Sequence, residues 1–165
     1  MQSRVARGDM CTEGSEAAAP QELWGGTWIG MSEAELRARY PSAQAPFLAV
    51  VNTSNWLQMK GPALADQPSM VTFYFKQGRL DSVRLAPECK PAHASAKEMA
   101  ERLVITLRER HGVESSAAKT PDLWGSYTRH VWLDRAIKVV MHLHVTYAKD
   151  IPSANLWVTY SGLTT

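Results

Sequence analysis

Three histidines and two tryptophans near the carboxyl end of the chain have the types and spacing to hold a metal or to bind a partner. His142 and His144 are one residue apart, and side chains at that spacing on a β-strand point to the same side. Neighbouring segments carry His130, Trp132 and Trp157. Imidazole rings that converge on one face can bind zinc, whereas indole rings beside polar groups are typical of protein-binding surfaces.

Strand alternation decides which of these side chains share a face. In the predicted strand 137–147 every second residue is apolar, so the apolar side faces a core and the histidines lie on the other side. We expect the turn at Asp134 to keep Val131 and Leu133 on the buried side of the preceding strand. The candidate partner-contact residues on the open face are then His130, Trp132, His142, His144 and Trp157.

The sequence favours a binding role over catalysis. No serine lies in a G-x-S-x-G motif, neither cysteine belongs to a recognisable Cys-His signature, and no glycine-rich loop is followed by Lys-Ser or Lys-Thr. No carboxylate is placed to orient the histidines around zinc. We therefore expect no enzyme activity, no metal and no cofactor, with a histidine-dependent metalloenzyme as the less favoured alternative.

Capping and alternation patterns predict the elements that position these residues. Ser32 and Glu35 form an S-x-x-E capping box at the start of a short helix over about 33–40. Residues 71–85 alternate between apolar and polar on both sides of a Gln-Gly pair, which predicts an antiparallel hairpin.

A second, longer helix is predicted over about 96–111. Apolar residues recur there at helical spacing, Ser95 and Glu98 form another capping box, and Gly112 follows the last turn. Further strands are expected at 47–51 and in three segments after residue 123. The predicted fold class is α+β, a mostly antiparallel sheet packed on one face by the main helix and the short capped helix.

Length and composition indicate one domain. The chain has 165 residues, of which 45% are hydrophobic, enough to bury a core without obligatory cross-links. Residues 1–23 are small and polar and predict a flexible arm, followed by a single domain over 24–165. A net charge of +2 without blocks of like charge disfavours nucleic acid, and no apolar run is long enough for a membrane span.

The two cysteines, Cys11 and Cys89, lie in polar and proline-rich segments where their thiols should be accessible. We expect them to form a disulfide, which the chain-entropy description credits with roughly 4–5 kcal/mol for so long a loop. The alternative is a pair of unrelated free thiols in a cytoplasmic protein. The polar start after Met1 is typical of a mature exported protein, so we expect a periplasmic location with the signal peptide removed.

Residues 29–32 with Glu35 and Leu36, followed by residues 73–80, resemble the helix-then-hairpin pattern of small exported bacterial domains of the BamE (SmpA/OmlA) type. The second helix and the last three strands lie outside this resemblance. Such domains bind other proteins, so the resemblance implies a protein partner and no enzymatic activity. The expected function is that of an inhibitor or immunity protein for a toxin or envelope hydrolase, with a structural adaptor in envelope assembly as the alternative.

Overall fold

The computed structural model describes residues 21–46, 55–123, 125–147 and 153–163. Its helices and strands are, in chain order, α1 (Glu33–Arg39), β1 (Trp56–Leu64), β2 (Gln67–Lys76), β3 (Arg79–Pro87), α2 (His93–His111), β4 (Ser116–Asp122), β5 (Gly125–Asp134), β6 (Ile137–Thr146) and β7 (Ser153–Gly162). The strands form one sheet in the order β1-β2-β3-β7-β6-β5-β4, and all neighbours are antiparallel. The fold class is α+β, dominated by a seven-stranded antiparallel sheet.

The predicted hairpin is confirmed as β2 and β3, joined at Gln77 and Gly78. Both turn residues have a positive φ, which the glycine adopts without steric cost. The last three predicted strands correspond to β5, β6 and β7, whereas β4 was not predicted. The strand expected at 47–51 lies outside the described residues.

Helix α1 begins with the predicted capping box. The Glu35 amide donates to Ser32 Oγ at 3.3 Å, and the Ser32 amide donates to Glu35 Oε2 at 2.8 Å. These two bonds satisfy amide groups that the first turn of a helix leaves without partners. On the opposite side Leu36 is fully buried, so the helix is held at its start and along one face.

Helix α2 begins earlier than predicted, at His93, and the capping box expected from Ser95 and Glu98 is wrong. The N-cap is Ala92, which makes no side-chain cap bond but pairs with Ser153 at the start of β7. Tertiary pairing therefore replaces side-chain capping. The predicted end is confirmed, since Gly112 follows the helix with a φ of +79°.

The buried core joins α2 to alternate residues of the sheet. Helix α2 contacts β7, β6 and β5. Its buried side chains are Ala96, Met99, Ala100, Leu103, Val104 and Leu107. Near β2, the rings of Trp24 and Tyr40 lie 6.4 and 5.7 Å from that of Phe73, so the segment around α1 belongs to the same core. Neither helix of the described residues is long and apolar enough to cross a membrane.

The residues that precede α1 are attached to the turn between β5 and β6. Residues 1–20 of the predicted arm lie outside the described residues. At its carboxyl end, Leu23 is buried, and the Gln21 side chain bonds to the backbone of Asp134 and Ala136. Part of the segment predicted to be an arm thus packs against the sheet.

The predicted placement of Trp132 and His130 on the open face is wrong. The turn that joins β5 to β6 pairs Leu133 with Lys138 and Trp132 with Val139. Trp132 therefore joins Val139 in the core and is 0% exposed, whereas Leu133 is 52% exposed. The indole N–H donates to the Gly112 carbonyl at 3.0 Å, so this buried tryptophan fixes the end of α2 and presents no surface on the open face.

Replacing Trp132 by Phe should lower the free energy of unfolding by about 2 kcal/mol or more, because a cavity forms and the Gly112 carbonyl loses its donor. Trp157→Phe is the matched control. It changes a half-buried ring in another strand and should cost less than about 1 kcal/mol. Urea unfolding followed by circular dichroism measures both values, and equal losses would contradict the buried placement of Trp132.

Candidate functional site

The sheet has an inner face that contributes to the core and an outer face on which most side chains are partly exposed, although Thr72, Val131 and Val140 are buried there. Along β7 every second residue is buried, and the residues between them are partly exposed. Cross-strand pairing extends this division through the sheet, because directly opposed residues lie on the same side. His142 and Trp157 form one such pair on the outer face.

Six outer-face side chains stand side by side across six neighbouring strands. We call them the aromatic row. In sheet order they are Trp56 of β1, Tyr74 of β2, Arg84 of β3, Trp157 of β7, His142 of β6 and Tyr127 of β5. Each contacts the next, and the row crosses the sheet obliquely, because Tyr74–Arg84, Arg84–Trp157 and His142–Tyr127 are diagonal neighbours and not directly opposed pairs.

The first half of the row centres on Arg84. Trp56 and Tyr74 are a cross-strand pair whose rings stack at 6.5 Å. The Arg84 guanidinium carbon lies 5.0 Å from the centre of the Tyr74 ring and 5.8 Å from that of Trp157. The guanidinium is therefore in cation–π contact with rings on both neighbouring strands.

The second half of the row contains two of the predicted contact residues, His142 and Trp157, whose rings stack at 4.8 Å with an interplanar angle of 18°. His142 Nδ1 is hydrogen-bonded to the Tyr127 hydroxyl. A third predicted residue, His144, lies beside this pair with its ring 6.2 Å from that of Tyr127. The structure thus brings together three of the five residues predicted from the sequence.

The outer face is cationic around the row. Arg84, Arg129 and Lys138 occupy ladder positions on β3, β5 and β6, and these three strands and β7 place no acidic residue at an outer-face ladder position. Asp81 lies at the bulge of β3, outside that ladder. Within the described part of the chain, none of the three cations is in an ion pair.

His142 is held neutral by its surroundings. Burial against its neighbours, followed by the positive charges of Arg129 and Arg84, lowers its pKa from 6.5 to about 4. A neutral imidazole can stack on Trp157 and share a hydrogen bond with Tyr127 without adding another charge between two arginines. His142 therefore keeps one protonation state at neutral pH.

His130 belongs to a different cluster on the inner side of β5. Its Nδ1 lies 3.4 Å from Glu114 Oε1, and Glu114 accepts two bonds from Arg108 at 2.7 and 2.5 Å. These bonds, with the Arg108 guanidinium first, lower the pKa of Glu114 to about 2. Because His130 faces away from His142 and His144, the three imidazoles cannot share one zinc ion. The described residues contain no group of three metal-ligating side chains.

The predicted disulfide falls partly outside the described residues. Cys89 is exposed, and Cys11 lies in the segment that the structure does not describe. The bond between them remains a prediction.

Sequence reasoning missed four members of the row. Tyr74 and Arg84 alternate with apolar residues in the predicted hairpin, so alternation alone placed them on the non-core side. Trp56 and Tyr127 carry the same signal within their strands. No local pattern indicates that β7 pairs with β3, and this pairing is what brings the two halves together.

Comparisons of this chain with protein-family models, with curated proteins and with solved structures found no match.

The depressed pKa of His142 predicts a pH-dependent stability. Between pH 6.5 and about 4 the unfolded chain binds a proton at this histidine that the folded protein does not. The free energy of unfolding should therefore fall as the pH drops through this range, and the contribution should be constant above it.

Urea unfolding of the wild type and of His142→Asn across this range measures the effect, since asparagine can still bond to Tyr127 but does not titrate. The stability difference between the two proteins should grow with pH up to about 6.5. An NMR titration of the His142 ring provides the direct value. A midpoint near 6.5 in the folded protein would contradict the buried, arginine-flanked environment.

Proposed function

We propose that this chain is a protein-binding module that docks through the outer face of its sheet. The observation that carries the proposal is the aromatic row, six side chains in contact with one another, contributed by six neighbouring strands. In this proposal both helices cover the inner face and leave the outer face to the partner. The chemistry of the row is recognition and not catalysis.

The row is suited to protein contact because its side chains are fixed before a partner arrives. Immobilising a flexible side chain on binding costs roughly 0.5–1.5 kcal/mol, and rings already stacked against one another avoid most of this cost. Tryptophan, tyrosine and arginine are also the residues most often found at the energetic centres of protein interfaces. Trp157 and Arg84, in the middle of the row, are the proposed anchors.

Nucleic acid fits this surface less well. Single-stranded nucleic acid binds such sheets by stacking its bases on free aromatic faces. Trp157 lies between β3 and β6, with Arg84 contacting it from one side and His142 from the other. Since Arg84 and His142 both contact this ring, less of it is available as a platform for a base.

The charge of the outer face indicates an acidic partner. Arg84, Arg129 and Lys138 are cationic and lack ion-pair partners within the described residues. Opposite charge on a partner accelerates encounter and fixes its orientation. Association should therefore slow as ionic strength rises.

We propose more specifically that the partner is a toxin or envelope hydrolase that this chain inhibits in the periplasm, as an immunity protein or inhibitor would. The support is the resemblance to small exported protein-binding domains, together with a cationic face suited to cover an acidic site. The alternative is an adaptor in envelope assembly. An inhibitor forms a tight complex with one soluble enzyme, whereas an adaptor co-purifies with membrane components.

Two outer-face substitutions test the docking surface. Trp157→Ala and Arg84→Glu should each weaken a partner complex at least about tenfold, because they remove an anchor or reverse a charge at the centre of the row. Lys97→Glu, which makes the same charge change on α2, is the control and should leave affinity unchanged. Affinity capture from envelope extract followed by calorimetry with the purified partner measures the effect.

A partner that the wild type and Lys97→Glu retain, and both outer-face variants lose, would support the proposal once calorimetry reproduces the order. Equal retention by all four proteins would overturn the docking surface. If the partner is an enzyme, loss of its activity on complex formation separates an inhibitor from an adaptor.

The proposed export predicts that Cys11 and Cys89 are disulfide-bonded in the purified protein. Iodoacetamide without reductant should then add nothing to the intact mass, whereas after reduction both thiols should be alkylated. Modification of both cysteines before reduction would contradict the disulfide and count against the periplasmic location. The docking surface does not depend on this result.

A further inference from the structure

We propose that the groove between α2 and the inner side of β5 binds a single-chain amphiphile with a carboxylate head, such as a free fatty acid of medium chain length. The groove has a volume of about 510 Å³, within the range of small-molecule sites. It is separate from the outer face, so this inference does not depend on the proposed docking surface.

The groove exists because α2 does not cover the full width of the sheet. Pairing of Ala92 with Ser153 fixes the start of α2 beside β7, and the bond from Trp132 to Gly112 fixes its end beside β5. The helix contacts β7, β6 and β5, while β4 extends the sheet beyond it. The inner side of β5 is consequently not fully covered by α2, and the groove is the space that remains.

The floor and the rim of the groove differ in chemistry. Side chains from α2 and β6 supply an apolar floor, which includes Val104, Met141, Leu143 and Val145. Hydroxyl groups of Ser126 and Thr128 line the β5 side. A ligand that fits both must have an apolar body and a polar end.

The charged side chains that line the groove place the polar end of the ligand between Lys97 and Lys119. Both lysines line the groove, and neither is in an ion pair within the described residues. Arg108, at the other end, is instead bonded to Glu114. Glu101 is the one carboxylate that lines the groove. The positive charges of Lys97 and Lys119 outnumber its single negative charge, so the groove favours an anionic head.

The length of the groove favours a single extended chain. Lys97 and Arg108 are eleven residues apart on α2, which corresponds to about 16 Å along the helix axis. An acyl chain whose carboxylate lies between the two lysines would run over Val104 towards Met141. The hydroxyl of Thr128, which is paired with Lys119 across the strands, can donate to the same carboxylate.

Decanoate, used as the probe with the full chain, tests this site. Titration followed by amide NMR should show saturable shifts along β5 and β6 next to the groove, and calorimetry should give a dissociation constant. Decanol and decyltrimethylammonium, which have the same chain with a neutral or cationic head, should each bind at least about tenfold more weakly.

A matched pair of charge reversals provides the control. Lys119→Glu should weaken decanoate binding about tenfold, whereas Lys138→Glu, on the outer face, should leave it unchanged. Thr128→Trp should fill the groove and abolish binding. If that variant does not fold, the two lysine variants decide the question.

The inference is overturned if decanoate gives no saturable shifts, if decanol binds as tightly as decanoate, or if both lysine variants weaken binding equally. None of these results bears on the proposed docking surface, because its partner is measured with outer-face variants. Conversely, failure to find a protein partner leaves the groove and its lysines intact.

Discussion

The register of the turn between β5 and β6 is the constraint on which the rest of the site depends. Leu133 pairs with Lys138 across this turn, and a shift of one residue would exchange the two faces of β5. The turn is fixed from several directions: Arg135 adopts a φ of +55°, the Leu163 amide donates to the Ala136 carbonyl, and His111 contacts Asp134 at 2.9 Å. Elements distant in sequence thus determine that Trp132 enters the core and Arg129 faces outwards.

The position of β7 turns two separate sets of strands into one continuous surface. Strands β1 to β3 form one meander and β4 to β7 another, and the pairing of β3 with β7 joins them. Across this junction Arg84 contacts Trp157, which completes the stacking between the two halves of the row. Helix α2 makes the arrangement possible, because it carries the chain from β3 to the far edge of the sheet before the second meander begins.

The sequence allowed prediction of the features whose causes are local. The capping box of Ser32 and Glu35, the hairpin of β2 and β3 and the alternation of β6 are each encoded within a short segment. Strand β4 was missed because it lacks alternating apolar residues and is held by its pairing with β5. The faces predicted for His130 and Trp132 were wrong because the face depends on the register of the turn between β5 and β6. The aromatic row was not predicted because it depends on the order of the strands in the sheet.

The edges of the sheet explain why we place the proposed docking on the outer face and not on an added strand. An open sheet exposes unpaired backbone groups at both edges, and proline and lysine are common protections against pairing there. Strand β1 contains Lys60 and Pro62 and an irregular register, while β4 contains Lys119 and Pro121. A proline has no amide hydrogen to donate to an added strand, and a lysine there must lose hydration. With both edges protected in this way, the proposed docking depends on the rings and unpaired cations in the middle of the outer face.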